Sequence, residues 1–454
     1  MATGIPKKRQ QDKEMLFANS VSSISSMKLE YLGKKPKSTV LDTTPANVVR
    51  LWANPDGHSP NRLFFGDNLK ILSTLLLNPE ICGNVRLIYI DPPFATQSAF
   101  HSRNLDHAYE DTLCGSEYIE FIRERLILLR ELLAEDGSIY LHLDEKMVFH
   151  IKIIMDEIFG AKNYRNCIIR KKCNPKNYTR KKFGNISDYI LFYTKSDNFS
   201  WNRPVEAWTE ERSKEYQYIE PITGRRFMKV PLHAPGVRNG ETGKPWRGMM
   251  PPPGKHWQFT PAKLDEMDAR GKIYWSTNGN PRRKIYLDEN AGIGVQDIWM
   301  DFRDAHNQNV RITGYPTEKN PDLLKRIIEA SSQPGDLILD CFSGSGTTLA
   351  VAASLNRFWI GIDDSPLAIK TILRRFAIGT EPMGDFVSQR NGKKEGISSQ
   401  SSLFASIEST VKQKGVGIEH QPISNFEFFA DATLVESSND LLSEWKTGYT
   451  SGES

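Results

Sequence analysis

The amino-acid sequence predicts an α/β fold with a doubly wound, mostly parallel sheet. From residue 61 onwards, short apolar runs typical of buried strands alternate with longer helical patterns. The predicted strands span 63–66, 85–90 and 138–143, and the predicted helices span 68–78, 116–134 and 146–159. A second strand–helix–strand unit follows at 336–363. Because helices between apolar strands imply parallel crossovers, the strands should share one sheet and ligands should bind at its carboxyl edge.

The strand at 85–90 leads directly into the tetrapeptide Asp91-Pro92-Pro93-Phe94. The two prolines stiffen the turn and lack amide donors, so the carbonyl groups are left to accept hydrogen bonds. A carboxylate, a rigid carbonyl and an aromatic face together suit a planar amino group, such as the exocyclic amine of a nucleobase. The same residues could also form a simple turn, with Phe94 returning to the core.

The second unit joins a strand ending at Asp340 to a turn that contains Phe342, Gly344 and Gly346, and then to a helix. Glycines in such a turn let the backbone approach a ligand closely, and the amino terminus of a helix favours electron-rich groups. The next strand ends in Asp363, where a carboxylate can accept from ribose hydroxyls. The sequence has no Gly-x-x-x-x-Gly-Lys-Ser/Thr pattern, so phosphate cradling is not predicted. By itself the unit fits a nucleotide-like cofactor, with NAD as one alternative.

Taken in this order, the two units resemble the amino-group DNA methyltransferases of the permuted beta class, which use S-adenosylmethionine. Other segments match that family in the expected order, over about residues 62–376. They are Leu63-Phe-Phe-Gly66-Asp67-Asn68, the helix that begins near Tyr118, the strand that leads to Asp144, and Gly314-Tyr-Pro316-Thr317-Glu318-Lys319-Asn320-Pro321. The last of these resembles the family's Pro-Thr-Gln-Lys-Pro element.

The chain departs from the family pattern at three places. Glu318 stands where Gln is usual, Asn320 is inserted before Pro321, and Asp363 stands where Glu is commoner. The shorter Asp363 side chain reduces the reach to a ribose by one methylene. None of these changes removes a functional group that the reaction needs.

The resemblance implies methyl transfer to the N6 amine of adenine. The Asp91 carboxylate and the Pro92 carbonyl would accept from both N–H bonds of the amine, and Phe94 would stack on the base. His142 and Asp144, beside the site, are expected to have packing or supporting roles. The cofactor-binding residues that the resemblance implies are Asp67, Thr317, Lys319, Asp340, Phe342, Gly344, Gly346 and Asp363.

Several alternatives stay open on the sequence. Asp rather than Ser at the first tetrapeptide position favours adenine over the N4 amine of cytosine, but both reactions need similar acceptors. Methylation of RNA and a DNA-specificity subunit without catalytic activity are further alternatives. Asp340 could equally serve only to cap the turn that follows its strand.

The sequence predicts six regions. They are a polar amino-terminal arm (1–60), the catalytic half of the methyltransferase domain (61–199), a target recognition region (200–312), the cofactor-binding half (313–380), a linker (381–402) and an extension of unknown role (403–454). The run at 165–183 has many cations and no acid, which favours contact with phosphates. The DNA-binding residues predicted there are Arg170, Lys171, Lys172, Arg180, Lys181 and Lys182.

Bulk properties narrow the class of protein. The 454 residues are 39% apolar, and no apolar stretch approaches the ~20 residues of a membrane span. Without the apolar core of a signal peptide, a cytoplasmic location is expected. Five cysteines without a Cys-x-x-Cys pair argue for a reducing compartment and against a structural metal. The expected partners are double-stranded DNA, with a homodimer and a separate restriction endonuclease subunit as further candidates.

Overall fold

A computed structural model describes residues 27–53, 57, 59–93, 99–101, 107–110, 115–175, 181–208, 213–289, 292–304, 311–316, 318–382 and 422–450. The chain divides into two compact units. Unit 1 comprises Met1–Asn202 and Asp297–Ser454, and unit 2 comprises Arg203–Gln296. Unit 2 therefore falls within the predicted target recognition region and is narrower than it.

The strands of the described residues are β1 (Val48–Trp52), β2 (Arg62–Phe65), β3 (Val85–Ile90), β4 (Ala99–His101), β5 (His107–Glu110), β6 (Leu133–Leu143), β7 (Tyr164–Lys171), β8 (Ser187–Thr194), β9 (Val205–Glu206), β10 (Tyr218–Ile219), β11 (Arg226–Pro231), β12 (His233–Pro235), β13 (Lys255–Trp257), β14 (Ile273–Trp275), β15 (Pro281–Tyr286), β16 (Ile293–Gly294), β17 (Ile298–Trp299), β18 (Arg311–Ile312), β19 (Leu337–Asp340), β20 (Phe358–Asp363), β21 (Glu381–Pro382) and β22 (Glu427–Asp431). The helices are α1 (Lys37–Leu41), α2 (Asn68–Leu76), α3 (Gly115–Leu132), α4 (Val148–Phe159), α5 (Pro261–Ala269), α6 (Pro321–Ser331), α7 (Thr347–Ser354), α8 (Pro366–Ile378) and α9 (Val435–Thr450).

Unit 1 is built on a ten-stranded mixed sheet in the order β1-β22-β2-β20-β19-β3-β6-β8-β7-β17. The neighbours from β22 to β6 all pair in parallel. Antiparallel pairing occurs between β1 and β22 and on both sides of β8. The predicted α/β class with a mostly parallel sheet is confirmed.

The sheet is covered on both faces, as parallel strands require. Alternate side chains of β3, such as Ile88 and Ile90, belong to the core formed with α2, α3 and α4. Leu87 and Tyr89, which point the other way, are equally buried. On that second face, α6 contacts β3 and α7 contacts β19 and β20. The strands are therefore fixed by apolar packing, and their carboxyl ends are left to carry polar groups.

Both ends of the described chain join the sheet. β22 lies between β1 and β2, and α9 contacts α8. The buried Glu427 accepts from Arg50 at 2.9 Å and lies 3.7 Å from Arg62. Residues 48–52 of the predicted arm and 427–431 of the predicted extension are thus integral strands, because each satisfies the backbone of the other. Most of the predicted linker lies outside the described residues.

Unit 2 has its own small core. A four-stranded antiparallel sheet, β10-β11-β15-β14, packs one face on a cluster that includes Trp246, Trp257, Leu264 and Ile273. The register places Lys229, Lys284, Arg282 and Tyr274 on the opposite face. In the described part of the whole chain, no helix is long and apolar enough to cross a membrane.

Candidate active site at the carboxyl edge of the sheet

Four neighbouring parallel strands end beside one another in unit 1. β3 leads into Asp91, β19 ends at Asp340, β20 ends at Asp363, and β2 leads through Gly66 into Asp67. The order β2-β20-β19-β3 brings these acids to one edge. The sequence placed all four acids at strand ends, and the sheet brings them together.

Of these four acids, Asp91 lies nearest to a cation. Its side chain is 16% exposed, and Oδ2 forms an ion pair with the Lys319 ammonium group. Oδ1 is buried, lies 3.8 Å from Nδ1 of His142, and has no hydrogen-bond partner among the described residues. Pro92 is buried and Pro93 half-buried. Phe94 lies outside the described residues, so its stacking role stays a prediction.

A buried chain of polar side chains lies behind Asp91. The Tyr89 hydroxyl is 2.9 Å from Nδ1 of His142, and Nε2 of His142 is 3.0 Å from Oδ2 of Asp188. Asp188 is also paired with Arg170 at 2.9 Å. Burial alone would raise the pKa of Asp188, but His142 and Arg170 hold this pKa well below its usual range. His142 therefore lies between two carboxylates, one of which is held ionised.

Arg170 was predicted to bind DNA, and this prediction is wrong. The residue is fully buried, and its guanidinium group bonds Asp188, Asp304 at 2.6 Å and the Phe302 carbonyl at 2.6 Å. Every donor group is directed at protein, so none can reach a phosphate. Alternation along β7 could have indicated this, because Ile168 and Arg170 point to the same side.

The other predicted DNA contacts are better placed. Lys171 and Lys172 are half-buried, whereas Lys181 and Lys182 are exposed. Phe183 is fully exposed beside them. Arg180 lies outside the described residues. The exposed lysines present charge that a phosphate backbone could bind, so their role stays a prediction.

The glycine turn after β19 binds the strand-end acid of β20. The Gly344 amide donates to Oδ2 of Asp363 at 2.8 Å, and the Ser365 amide donates to Oδ1 at 2.9 Å. Both oxygens keep a lone pair that could accept from a hydroxyl. Burial, and then the charge of Asp364, raises the pKa of Asp363. Asp363 thus both shapes the turn and remains a candidate ribose acceptor.

Gly346 has a conformation and surroundings that exclude a side chain. Its φ is +72°, and a Cβ atom there would lie 2.9 Å from Cγ1 of Ile372. Gly344 also has a positive φ of +49°. The turn therefore packs against α8 with bare backbone, and the close approach of a ligand at this turn stays a prediction.

Asp340 caps the glycine turn after β19 from a buried position. It is buried, and Oδ1 accepts from the Phe342 amide at 3.0 Å. Burial raises the pKa of Asp340 to about 7, although the Thr348 hydroxyl and the Phe342 amide oppose the rise. A capping role for Asp340 is therefore supported, while direct contact with a cofactor stays a prediction.

Asp67 and Arg125 connect β2 to the glycine turn. Asp67 caps α2 by accepting from the Leu69 amide at 2.7 Å, and it lies 3.8 Å from Arg125. Arg125 donates to the Asn68 side chain at 2.6 Å, and Asn68 donates to the Cys341 carbonyl at 2.7 Å. Sequence reasoning missed Arg125. An arginine among the apolar residues of α3 was the available signal.

Two residues that depart from the family pattern, Glu318 and Asn320, have structural roles. Glu318 is buried, forms an ion pair with the buried Arg375 of α8, and accepts from the amide and hydroxyl of Thr313 at 2.8 and 2.7 Å. Asn320 caps α6 by accepting from the Asp322 amide at 2.9 Å. Both unusual residues thus have structural partners.

Lys319 lies between Glu318 and Asn320, which are both held by hydrogen bonds to neighbouring elements. The sequence prediction placed it near the carboxylate of the cofactor, whereas the structure pairs it with Asp91. Thr317 lies outside the described residues. No cluster of side chains suited to a metal ion occurs in the described ranges.

Comparisons with known proteins show the family of the chain. The family model described as DNA methylase, for the N6 and N4 methyltransferases, matches residues 85–374. The type II methyltransferase M.EcaI of Enterobacter cloacae is 44% identical over 427 residues, which cover 93% of this chain and 90% of that protein. The StyLTI Mod subunit of a type III restriction-modification enzyme from Salmonella typhimurium is 27% identical, covering 80% of this chain and 63% of that protein. The DNA adenine methyltransferase YhdJ of Escherichia coli is 24% identical, covering 78% and 95%.

The Glu318–Arg375 pair yields a test of stability. Glu318→Gln should lower the free energy of unfolding by about 3–5 kcal/mol, because it leaves a buried guanidinium charge uncompensated. Adding Arg375→Met should restore most of that loss. Urea titration measures both effects, with the exposed Glu329→Gln on α6 as a matched control. Equal stability of Glu318→Gln and the control would contradict the assignment.

Gly346 yields a second test. Gly346→Ala should weaken binding of S-adenosylmethionine in calorimetry, because the new methyl group collides with Ile372. Gly335→Ala is the matched control, since Gly335 also has a positive φ, of +88°, but has open space around its Cβ position. The control should show only the backbone cost of about 1–2 kcal/mol in stability. Equal cofactor affinities in the two variants would argue against close approach at Gly346.

Proposed function

The chain belongs to the DNA methylase family, and on that premise we propose that it transfers the methyl group of S-adenosylmethionine to the N6 amine of adenine in double-stranded DNA. The observation that carries the proposal is Asp91. It stands at the end of a buried strand, followed by two prolines, with one oxygen that has no hydrogen-bond partner among the described residues. A buried acceptor of this kind is costly unless a ligand satisfies it.

The cofactor fits the residues at the neighbouring strand ends. The turn at Gly344 and Gly346 carries no side chain at these two positions, and Asp363 beside it keeps acceptor capacity. When bound, S-adenosylmethionine supplies an electrophilic methyl group on a sulfonium. The residues that would hold it are Asp67, Phe342, Gly344, Gly346 and Asp363, with Asp340 shaping the turn from below.

The protein's task is then to prepare the amine. The lone pair of an exocyclic amine is delocalised into the base, which makes the nitrogen a poor nucleophile. Acceptance of its N–H bonds by the Asp91 carboxylate and the Pro92 carbonyl would localise that lone pair towards the methyl donor. Positioning and electrostatics supply the catalysis, without a covalent intermediate on the protein. Phe94 would stack on the base after it leaves the duplex, offsetting part of the unstacking cost.

Adenine is favoured over cytosine by two observations. The tetrapeptide begins with Asp rather than Ser. YhdJ, which is similar over 78% of this chain, is named a DNA adenine methyltransferase. Cytosine N4 is the second candidate, because the matching family covers both amines.

We further propose that unit 2 reads the DNA sequence. One face of its sheet presents Lys229 between the rings of Tyr218 and Tyr274, at 3.5 and 3.4 Å from the ring centroids. The exposed Arg282 shares that face through the strand register, whereas Lys284 on the same face is paired with Glu220 at 2.8 Å. Cations interleaved with aromatic rings suit a phosphate backbone and base edges.

The similarity to M.EcaI and to the StyLTI Mod subunit suggests a role in restriction-modification in the bacterial cytoplasm. The partner there would be a separate endonuclease, and a homodimer is a further candidate.

The base and the role of Asp91 can be tested together. Wild-type protein, methyl-labelled S-adenosylmethionine and duplex DNA should yield labelled N6-methyladenine after digestion to nucleosides. Asp91→Asn should lose at least about 100-fold in methyl transfer, since the amide presents one acceptor less and no charge. The exposed Asp42→Asn should retain full activity. Labelled N4-methylcytosine would overturn the base assignment, and an active Asp91→Asn variant would overturn the role of Asp91.

Exposed lysines on the loop after β7 should govern affinity for DNA. Replacing Lys181 and Lys182 with Ala should weaken binding to any duplex sequence and flatten the dependence of log K on log salt by about 0.9 for each phosphate that the protein no longer neutralises. Lys162→Ala removes an exposed lysine elsewhere and is the control. Fluorescence anisotropy at several salt concentrations gives both slopes. An unchanged slope in the double variant would show that these lysines do not touch DNA.

A further inference from the structure

The buried histidine behind Asp91 has a chemical use that packing alone does not explain. Methyl transfer forms a nitrogen–carbon bond and breaks the sulfur–carbon bond, whose electron pair stays on sulfur. The product amine then carries a positive charge and must release one proton. Asp91 touches this amine in the proposed reaction, but a carboxylate is a weak base and holds a proton poorly at neutral pH.

We propose that His142 is a positioning residue that accepts, through Asp91, the proton released by the methylated amine. The inference rests on the proposed methyltransferase function. The proton passes from nitrogen to Oδ1 of Asp91 and from there to Nδ1 of His142, which becomes imidazolium while Asp91 returns to carboxylate. The two atoms are 3.8 Å apart. Catalytic hydrogen bonds often shorten when the substrate is bound.

The contacts of His142 suit this role. If the neutral ring carries its hydrogen on Nε2, which lies 3.0 Å from Oδ2 of Asp188, Nδ1 can accept from the Tyr89 hydroxyl. Burial, and then the charge of Asp91, raises the pKa of Tyr89, so its hydroxyl stays protonated. Nδ1 is thus the basic atom, and it faces Asp91.

The other polar side chains behind Asp91 stabilise the imidazolium form of His142 once it has formed. The Asp188 carboxylate is paired with Arg170 at 2.9 Å, and it would stabilise a positive ring in the way that the acid of a catalytic triad does. Arg170 opposes Asp188 directly across β7 and β8, and Asp304 closes the chain at a partly exposed position. The groups that face His142 are Tyr89 and Asp91 from β3 and Asp188 from β8, with Lys319 and Arg170 acting through these acids.

The relay requires neutral His142 at the start of the reaction. A protonated ring would donate to Asp91 and compete with the amine for Oδ1. The single-turnover rate constant for methyl transfer should therefore rise with pH through one ionisation between about pH 5 and 8. Asp188→Asn should move that ionisation to lower pH, because it removes the carboxylate that lies beside the positive ring.

The test compares pH profiles of four proteins in single-turnover methylation of duplex DNA. Wild type and the exposed-histidine control His150→Asn should show the ionisation. His142→Asn should lose about tenfold or more at the plateau, and its profile should become flat over this range. Asp188→Asn should keep the ionisation at a lower pH. Dissociation constants for cofactor and DNA should change little, which separates the relay from a binding defect.

Two results would overturn the relay. One is a His142→Asn profile that keeps the wild-type ionisation with every rate scaled down, as a purely structural role predicts. The other is a wild-type rate in that variant. If His142→Asn does not fold, as judged by circular dichroism, the Asp188→Asn profile decides, and an unshifted ionisation overturns the proposal. Absence of methyl transfer by wild type would instead overturn the proposed function, and the relay with it.

Discussion

The parallel pairing of β3 with β19 is the interaction on which the rest of the site depends. Leu87 lies beside Ile338, and Ile88 lies beside Leu339. Because both strands are buried on their two faces, a slip of one residue would exchange the sides of every side chain. The register therefore fixes Asp91 and Asp340 at neighbouring strand ends, although they come from opposite halves of the chain. The proposed acceptor of the amine and the proposed cofactor turn therefore lie at one edge of the sheet.

That edge gathers several carboxylates, and the partners of the buried ones decide in which direction their pKa values move. Asp188 and Asp340 are both almost fully buried. Asp188 has His142 and Arg170 against it, and its pKa is depressed. Around Asp340, the Thr348 hydroxyl, the Phe342 amide and the charge of Lys319 oppose the effect of burial, but desolvation prevails and the pKa rises to about 7. A buried charge is stable only where a cation offsets its desolvation. The two buried acids therefore differ because Asp188 is paired with a guanidinium group and Asp340 is not.

The sequence predicted the strands that form this edge, because their apolar runs and the turns after them are local signals. It also predicted Asp91, Asp340 and Asp363 as strand-end acids. It missed contacts that depend on distant segments. Arg170 read as one cation in a basic run, since its acids, Asp188 and Asp304, lie on other elements. β22 was missed for the same reason: a short strand between β1 and β2 is specified by its neighbours in space rather than by its own pattern.

Lys319 shows how the unusual residues of its element act together. Glu318 holds the backbone towards Arg375 on α8, and Asn320 caps α6. With both flanks anchored, the intervening side chain is directed at Asp91 from a fixed backbone. The ammonium group neutralises one oxygen of Asp91 and leaves the other towards His142. The Glu318–Arg375 pair thus anchors the backbone that carries Lys319, at a distance from the proposed site of the amine.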